Sequence, residues 1–453
     1  MDKRRTLAMK RLPPNFPIIW RGEVGYEQAR VGRVFNYRRP SRYPIAVVEA
    51  TTEDDIVEAV GLANEIGCRV SVRSGGHSWA VWSTGILRAS PSNTGRLTNK
   101  LLGAYGRMFP GGHCPEVALG GFLLQGGMGW NCKNWGWACE RVLGVDVVTA
   151  DGRKLHCDKD ENTDLYWAAR GAGPGFPAIV TRFYLQTIPA FSRMRSSAYI
   201  YEKKDYRKAM EWILRVAPIY DESTEIVAVA SYPAGLSDVH VMVLLVTFKN
   251  SAEEALAALQ PAEDTAPPGC VQRWFCRETS LAKEYDDQHA ANPMSYRYCT
   301  DNCYVKNDAD VVSVLEDAFT SLPSRKSFSL WYSMAPGSRR SVEAGTMQDM
   351  ALSMQTDHYF ATYSIWEDEA DDAKCRDWVA NIFKRVERHS EGSYLGDADF
   401  QVRRTRFWQD EQGKKLMRIR KEWDPHGRIA GYLDVGDKSG AEGLENVHEW
   451  EPK

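Results

Sequence analysis

Two short glycine-rich stretches of this sequence each present a nucleophilic side chain. "RSGGHSW" at 73–79 sets His77 directly after Gly75 and Gly76, and "GGHC" at 111–114 sets Cys114 just beyond Gly111 and Gly112. Glycines let neighbouring backbone N–H groups converge on one concavity, which suits a diphosphate, and Arg73 adds positive charge beside the first turn. Taken singly, each stretch also reads as a tight turn with an ordinary side chain on it. Two such loops in one chain, one offering an imidazole and the other a thiol, point to enclosure of a cofactor. A metal reading would gather His113, Cys114, Cys132 and Cys139. No C-x-x-C pair is present and the spacings match no structural zinc pattern, so no metal is expected. Cys299 and Cys303, flanking "TDN", read as a packed pair of free thiols. A nicotinamide fingerprint is excluded because "GAGPGF" follows a helical piece and not a strand.

The elements around these loops follow from hydrophobic spacing. "YPIAVVEA" is a β-rich run. "TTEDDIVEAVGLANEIG" then carries Ile56, Val57, Val60, Ala63 and Ile66 at helical intervals, with Thr52 as N-cap, three acidic residues in the first turn and Gly67 to close it. "RVSV" restarts an extended strand, so residues 44–73 form a βαβ unit with the first loop at a strand's carboxyl end, where open α/β sheets bind ligands. Seven glycines among residues 111–129 rule out an ordinary helix or central strand there. "VLGVDVVTADGRKLHC" predicts two strands joined by an Asp-Gly turn, "DLYWAARGAGPGF" a short helix, and "AIVTRFYLQTIP" a strand stopped by Pro189. Beyond residue 192 the strand-like runs "EIVAVASY", "HVMVLLVTF", "SFSLWYSM" and "HYFATYSIW" alternate with amphipathic helices, predicting a second α+β region.

With 453 residues the chain exceeds one ordinary core. A net charge of -3 argues against nucleic acid or an anionic membrane as partner, and fifteen Trp with twenty Tyr favour a ring-lined cavity for a small molecule. The basic start "MDKRRTLAMKRLPPNFP" lacks the apolar core of a secretory signal, and no run is long enough to span a bilayer, so the expectation is an intracellular, cytoplasmic protein.

The ordered set "PIAVVEATTEDDIVEAVGLANEIGCRVSVRSGGHSW", "FPGGHCPEVALGGFLLQGGMGW", "VDVVTADG", "DLYWAARGAGPGFPAIVTRF" and "LMRIRKEWDP" resembles the FAD-linked oxidases with a PCMH-type flavin domain, and more narrowly the berberine-bridge-enzyme-like oxidoreductases. The resemblance is dense over 40–192 and looser in the tail. It implies FAD joined through its 8α-methyl to His77 and, in bicovalent members, through C6 to Cys114. The expected cofactor set is Arg73, Ser74, Gly75, Gly76, His77 and Ser78 in the first loop, Cys114, Gly121, Gly126, Gly127 and Gly129 in the second, and Val180. The implied fold is α+β: an N-terminal segment (1–39), a two-part PCMH-type FAD domain (40–192), a substrate domain with a large antiparallel sheet (193–392), and a C-terminal segment returning to the FAD domain (393–453).

An oxidase of this kind holds a substrate C–H over the flavin, needs a base for the O–H or N–H proton, and passes electrons to O2. Tyr394 in "SYLGDADF" is the first candidate base and His358 in "TDHYF" the second, with Tyr359 beside it and Asp397 and Asp399 near enough to tune them. Two departures from the family stand out. Gly396 occupies the place of an asparagine, and the chain after Ser83 runs almost directly into "TGILRASPSNTG", omitting a strand. A flavin-binding protein without turnover and a non-flavin ligand-binding module are the competing readings.

Overall fold

The computed structural model describes residues 3–39, 43–79, 87–88, 94–399, 403 and 405–431. Helix α1 (Lys3–Arg11), strand β1 (Ile18–Trp20) and helix α2 (Tyr26–Val31) lead into the unit β2 (Ala46–Val48), α3 (Glu53–Glu65) and β3 (Val72–Arg73). Helix α3 starts where its spacing predicts. The Thr52 hydroxyl accepts the Asp55 N–H at 3.1 Å while the Asp55 carboxylate accepts the Thr52 N–H at 2.9 Å, a reciprocal capping box. Its buried face, Ile56, Ala59, Val60 and Ala63, packs on Val48 and Val148. Strand β4 (Leu87–Arg88) inserts in parallel between β2 and β3, giving the order β1-β2-β4-β3. Apart from β4, the run after the first loop, on which the expectation of an omitted strand falls, lies outside the described residues from 80 to 93.

The chain continues through α4 (Gly95–Gly103), β5 (Arg107–Met108), α5 (Leu119–Leu124), α6 (Cys132–Trp135), β6 (Val142–Thr149), β7 (Lys154–Asp158), α7 (Thr163–Ala168), β8 (Ala178–Leu185) and β9 (Ile188–Pro189). Strands β7, β6 and β8 form an antiparallel sheet in that order, with the expected Asp151-Gly152 turn between β6 and β7, where Gly152 has a φ of 86°. The run ending at Pro189 is two strands, not one. β8 joins this sheet, and β9 breaks away to pair with β5.

The rest of the chain builds around one sheet: β10 (Arg193–Glu202), α8 (Tyr206–Val216), β11 (Thr224–Ser231), β12 (His240–Lys249), α9 (Ala252–Thr265), β13 (Gln272–Thr279), α10 (Leu281–Ala291), β14 (Arg297–Val305), α11 (Val311–Thr320), β15 (Phe328–Ser333), β16 (His358–Trp366), α12 (Asp372–Val386) and β17 (Ser390–Gly392). The eight strands are antiparallel in the order β13-β10-β12-β11-β15-β16-β14-β17. One face, including Ile226, Val243, Leu245, Trp331 and Phe360, is covered by α8, α9, α11 and α12. Each such large apolar side chain, fully enclosed, contributes about 1.5–3 kcal/mol. The other face turns toward the glycine loops.

After β17 the chain crosses back. Leu395, Trp408 and, from α13 (Asp410–Trp423), Leu416 and Ile419 share a core with Phe109 and Leu165. Val70 donates its N–H to the Arg428 carbonyl at 2.7 Å and accepts from Ala430 at 2.8 Å. The return ties both parts of the chain together at the loops.

Candidate active site

A cavity of about 900 Å³ lies between the glycine loops and the inner face of the large sheet. Ser74, Gly75, Gly76, His77 and Ser78 line it from the carboxyl end of β3. Gly76 has a φ of 83°, and a Cβ there would stand 2.4 Å from the Arg33 carbonyl oxygen, so this turn admits no side chain at that position. The His77 ring stacks on Phe35 with centroids 3.9 Å apart and meets Trp79 edge-on at 5.5 Å. Both its nitrogens, and the Ser78 hydroxyl, are enclosed without a hydrogen-bond partner among the described residues. Burial disfavours the imidazolium and lowers the His77 pKa to about 4.

Arg73 is not part of this lining. Neighbours in a strand point to opposite sides, so Val72 and Ser74 meet the cavity while the Arg73 guanidinium donates to the carbonyls of Ala29 and Arg30 in α2. The first loop therefore holds its concavity with backbone and small side chains, without the positive charge the sequence led us to expect.

From the second stretch, Gly112, His113, Cys114 and Gly121 reach the cavity, as does Val180 from β8. Burial raises the Cys114 thiol well above its usual range, with Asp397 and Glu116 adding to the shift. Gly126, Gly127 and Gly129 do not line the cavity; they pack against protein. Cys139 and Ala138 donate to the carbonyls of Gly126 and Gly127 at 2.9 Å, and a Cβ on Gly129 would lie 2.1 Å from the Pro110 oxygen.

The opposing wall carries the ionisable groups. Asp397 lines the cavity and accepts from the Tyr359 hydroxyl at 2.6 Å and from Trp79 Nε1 at 3.1 Å, with Tyr363 a third hydrogen-bond partner. Burial raises its carboxyl pKa, and those three hydrogen bonds pull in the opposite direction. Tyr394 also lines the cavity, its hydroxyl accepting the Met128 N–H at 3.2 Å; burial, then the Asp397 charge, push its pKa up. Gly396 has a close-contact reason. A Cβ there would lie 2.4–2.6 Å from ring and hydroxyl atoms of Tyr394, which folds over the bare backbone.

The structure does not bring His358 to this site. On β16 it faces the helix side, near Trp331, while Tyr359 faces the loops. Asp399 is occupied elsewhere, accepting from Arg38 Nη1 at 3.0 Å. Sequence reasoning missed three contributors: Trp79, Tyr363, and the His113–Glu225 pair. His113 Nε2 lies 2.9 and 3.0 Å from the two Glu225 oxygens, and Glu225 also accepts the Asn131 N–H at 2.6 Å, joining β11 to the second loop. The described residues include no group of three or more His, Cys, Asp and Glu side chains gathered to hold a metal ion, and no helix long and apolar enough to cross a membrane.

Residues 82–158 match the family described as FAD binding domain. Over 439 residues the chain is 36% identical to the FAD-linked oxidoreductase ptmO of Penicillium ochrochloron, covering 92% of this chain and 96% of that one. The chain belongs to the FAD-linked oxidoreductases. The fold agrees. Physcomitrella patens BBE-like 1 superposes with a TM-score of 0.79 at 17% identity, covering 94% of this chain and 97% of the other. The glucooligosaccharide oxidase of Acremonium strictum, which carries a 6-S-cysteinyl, 8α-N1-histidyl FAD, gives 0.75 at 18% identity over 91% and 96%. This FAD-linked oxidoreductase is thus an enzyme whose large antiparallel sheet faces its glycine loops across one cavity.

Proposed function

We propose that this oxidoreductase holds FAD along the glycine loops, tethered at His77 and at Cys114, and oxidises an alcohol or amine carbon of a small organic molecule with O2 as final acceptor. The observation that carries the reading is His77: an imidazole facing the cavity, kept neutral by burial, with neither nitrogen engaged by a described residue. A neutral ring nitrogen is nucleophilic, and a tether would give it the bonding partner that the protein withholds. The cysteinyl and histidyl linkages of the Acremonium strictum oxidase support the assignment to these two side chains. Bound FAD supplies the acceptor for a hydride and passes two electrons on to O2.

The chain's own residues then handle the proton. For an alcohol, the C–H leaves as hydride, the O–H bond breaks, and a carbonyl forms; oxygen takes up two electrons and two protons to become hydrogen peroxide. Asp397 is the proton acceptor we favour, because it reaches the cavity with its carboxyl pKa raised by burial and is oriented by Tyr359 and Trp79. Tyr394 lines the same cavity and orients the hydroxyl of the substrate. Mass spectrometry of tryptic peptides from acid-precipitated protein is the test: one flavin bridging the His77 and Cys114 peptides is expected. Free, unmodified FAD released from folded protein would overturn the tethers.

A further inference from the structure

The inner face of the sheet has a composition that narrows the substrate. Across four adjacent strands, register aligns Met242, Val229, Leu330 and Ala361 in one row, and Leu244, Val227, Tyr332 and Tyr359 in the next. Met242, Val229, Leu244 and Leu330 sit on central strands yet are only half-buried, because the space before them is the cavity. Their neighbours on the helix side, Ala228, Val243 and Trp331, are fully buried. A stretch of aliphatic surface is therefore held open inside the molecule.

Polar side chains gather elsewhere in the cavity. One group is the Asp397 corner with its tyrosines; another is the mouth, where Asp287, Arg325 and Lys326 are exposed. The lining also holds Ser196, which accepts from Trp274 Nε1 at 3.1 Å, and the polar side chains of Arg277, Glu284, Gln288 and Asn292. We infer that the substrate is amphipathic, with an apolar body lying over Val227, Val229, Met242, Leu244 and Leu330 and a single oxidisable hydroxyl at the Asp397 corner. The inference rests on reading this cavity as the oxidase active site. A sugar chain laid over those five aliphatic side chains would surrender its water contacts to groups that offer no donor or acceptor in return, which disfavours burial of its hydroxyls there. An apolar body loses nothing there, and one convergent polar corner is enough to fix its orientation.

Calorimetry on the purified holoenzyme tests this with hexanol, octanol and decanol against cellobiose. Each added methylene should tighten binding by roughly fourfold, with a negative heat-capacity change, the mark of apolar burial. Leu330→Asn should weaken decanol binding by roughly tenfold, within the range for altered hydrophobic pockets. Val229→Thr, nearly isosteric, should act in the same direction if Leu330→Asn misfolds. A flat alcohol series, or cellobiose binding more tightly than decanol, would overturn the inference. A colourless protein that keeps the methylene increment would remove the flavin reading, and with it the substrate role, while leaving the apolar binding site in place.

Discussion

The two walls of the cavity are made of different material. The loop wall is largely backbone: Ser74 to Ser78 and Gly112 to Cys114 present peptide groups, two imidazoles and one thiol. The sheet wall and the tail beside it are side chains throughout, aliphatic on β11 and β12, with tyrosines on β15 and β16 and a carboxylate from the tail. A backbone wall suits a ligand that never changes, because peptide N–H groups cannot be retuned by substitution. A side-chain wall can be altered one residue at a time without disturbing the ladder behind it. On the proposed reading, cofactor and substrate then fall to separate parts of the chain.

The loop wall should break most completely. At Gly76 a Val side chain would meet both the left-handed backbone and the Arg33 carbonyl, and backbone strain alone costs about 1–3 kcal/mol. Gly76→Val should abolish flavin incorporation and lower the melting temperature, measured as the flavin-to-protein absorbance ratio and by thermal unfolding. An unchanged ratio would show that this turn is not the cradle.

On the facing wall, Asp397→Asn should leave the flavin in place and slow its anaerobic reduction by roughly 10²–10⁴, the range for a lost general base. The pH dependences separate catalysis from stability. As a base Asp397 must be ionised, so kcat/KM should rise with pH through its raised pKa and lose that limb in the variant. Stability runs the other way. A carboxyl whose pKa is higher folded than unfolded adds most stability at low pH and loses it as pH climbs through the folded value. The wild type should therefore lose melting temperature relative to Asp397→Asn as pH rises. Parallel melting curves, with a retained activity limb, would move the proton acceptor elsewhere, with Tyr394→Phe the next variant to assay.

The loops were legible from sequence because glycine spacing is a local signal, and so was α3, whose Thr52–Asp55 box lies within four residues. The wall strands β11, β12, β15 and β16 were legible as well, from their apolar runs, but β14 and the side chains' long-range partners were not. Strand β14, "RYCTDNCYV", hides a central strand behind polar residues that look like a turn; Asp301 is matched by Arg403 Nε at 2.6 Å and Asn302 by both backbone groups of Tyr394, partners some 90 to 100 residues away. Arg73 and His358 were misplaced for one shared reason. A strand's period of two decides which side chains enter a cavity, and a motif read without its register assigns neighbours together. Asp397 stands out only through its contacts with Trp79, 318 positions earlier, and with Tyr359, 38 positions earlier.

The smallest expected effect concerns the departure at Gly396, and it asks how independently the tail's residues act. The Tyr394 ring lies where a side chain at 396 would stand, with Cε1 at 2.4 Å, Cζ at 2.5 Å and the hydroxyl at 2.6 Å from an added Cβ. Gly396→Asn, which installs the asparagine that the family resemblance leads one to expect there, must push that ring away and break the 3.2 Å contact from Met128. The flavin should stay bound, since neither glycine loop is touched, and Asp397 should keep Trp79 and Tyr359. Reduction should slow by roughly tenfold, equivalent to about 1.4 kcal/mol at the transition state, with the rise in activity with pH preserved. A loss as large as that of Asp397→Asn would make Tyr394 the base. An unchanged rate would show that the ring's position over Gly396 serves packing alone.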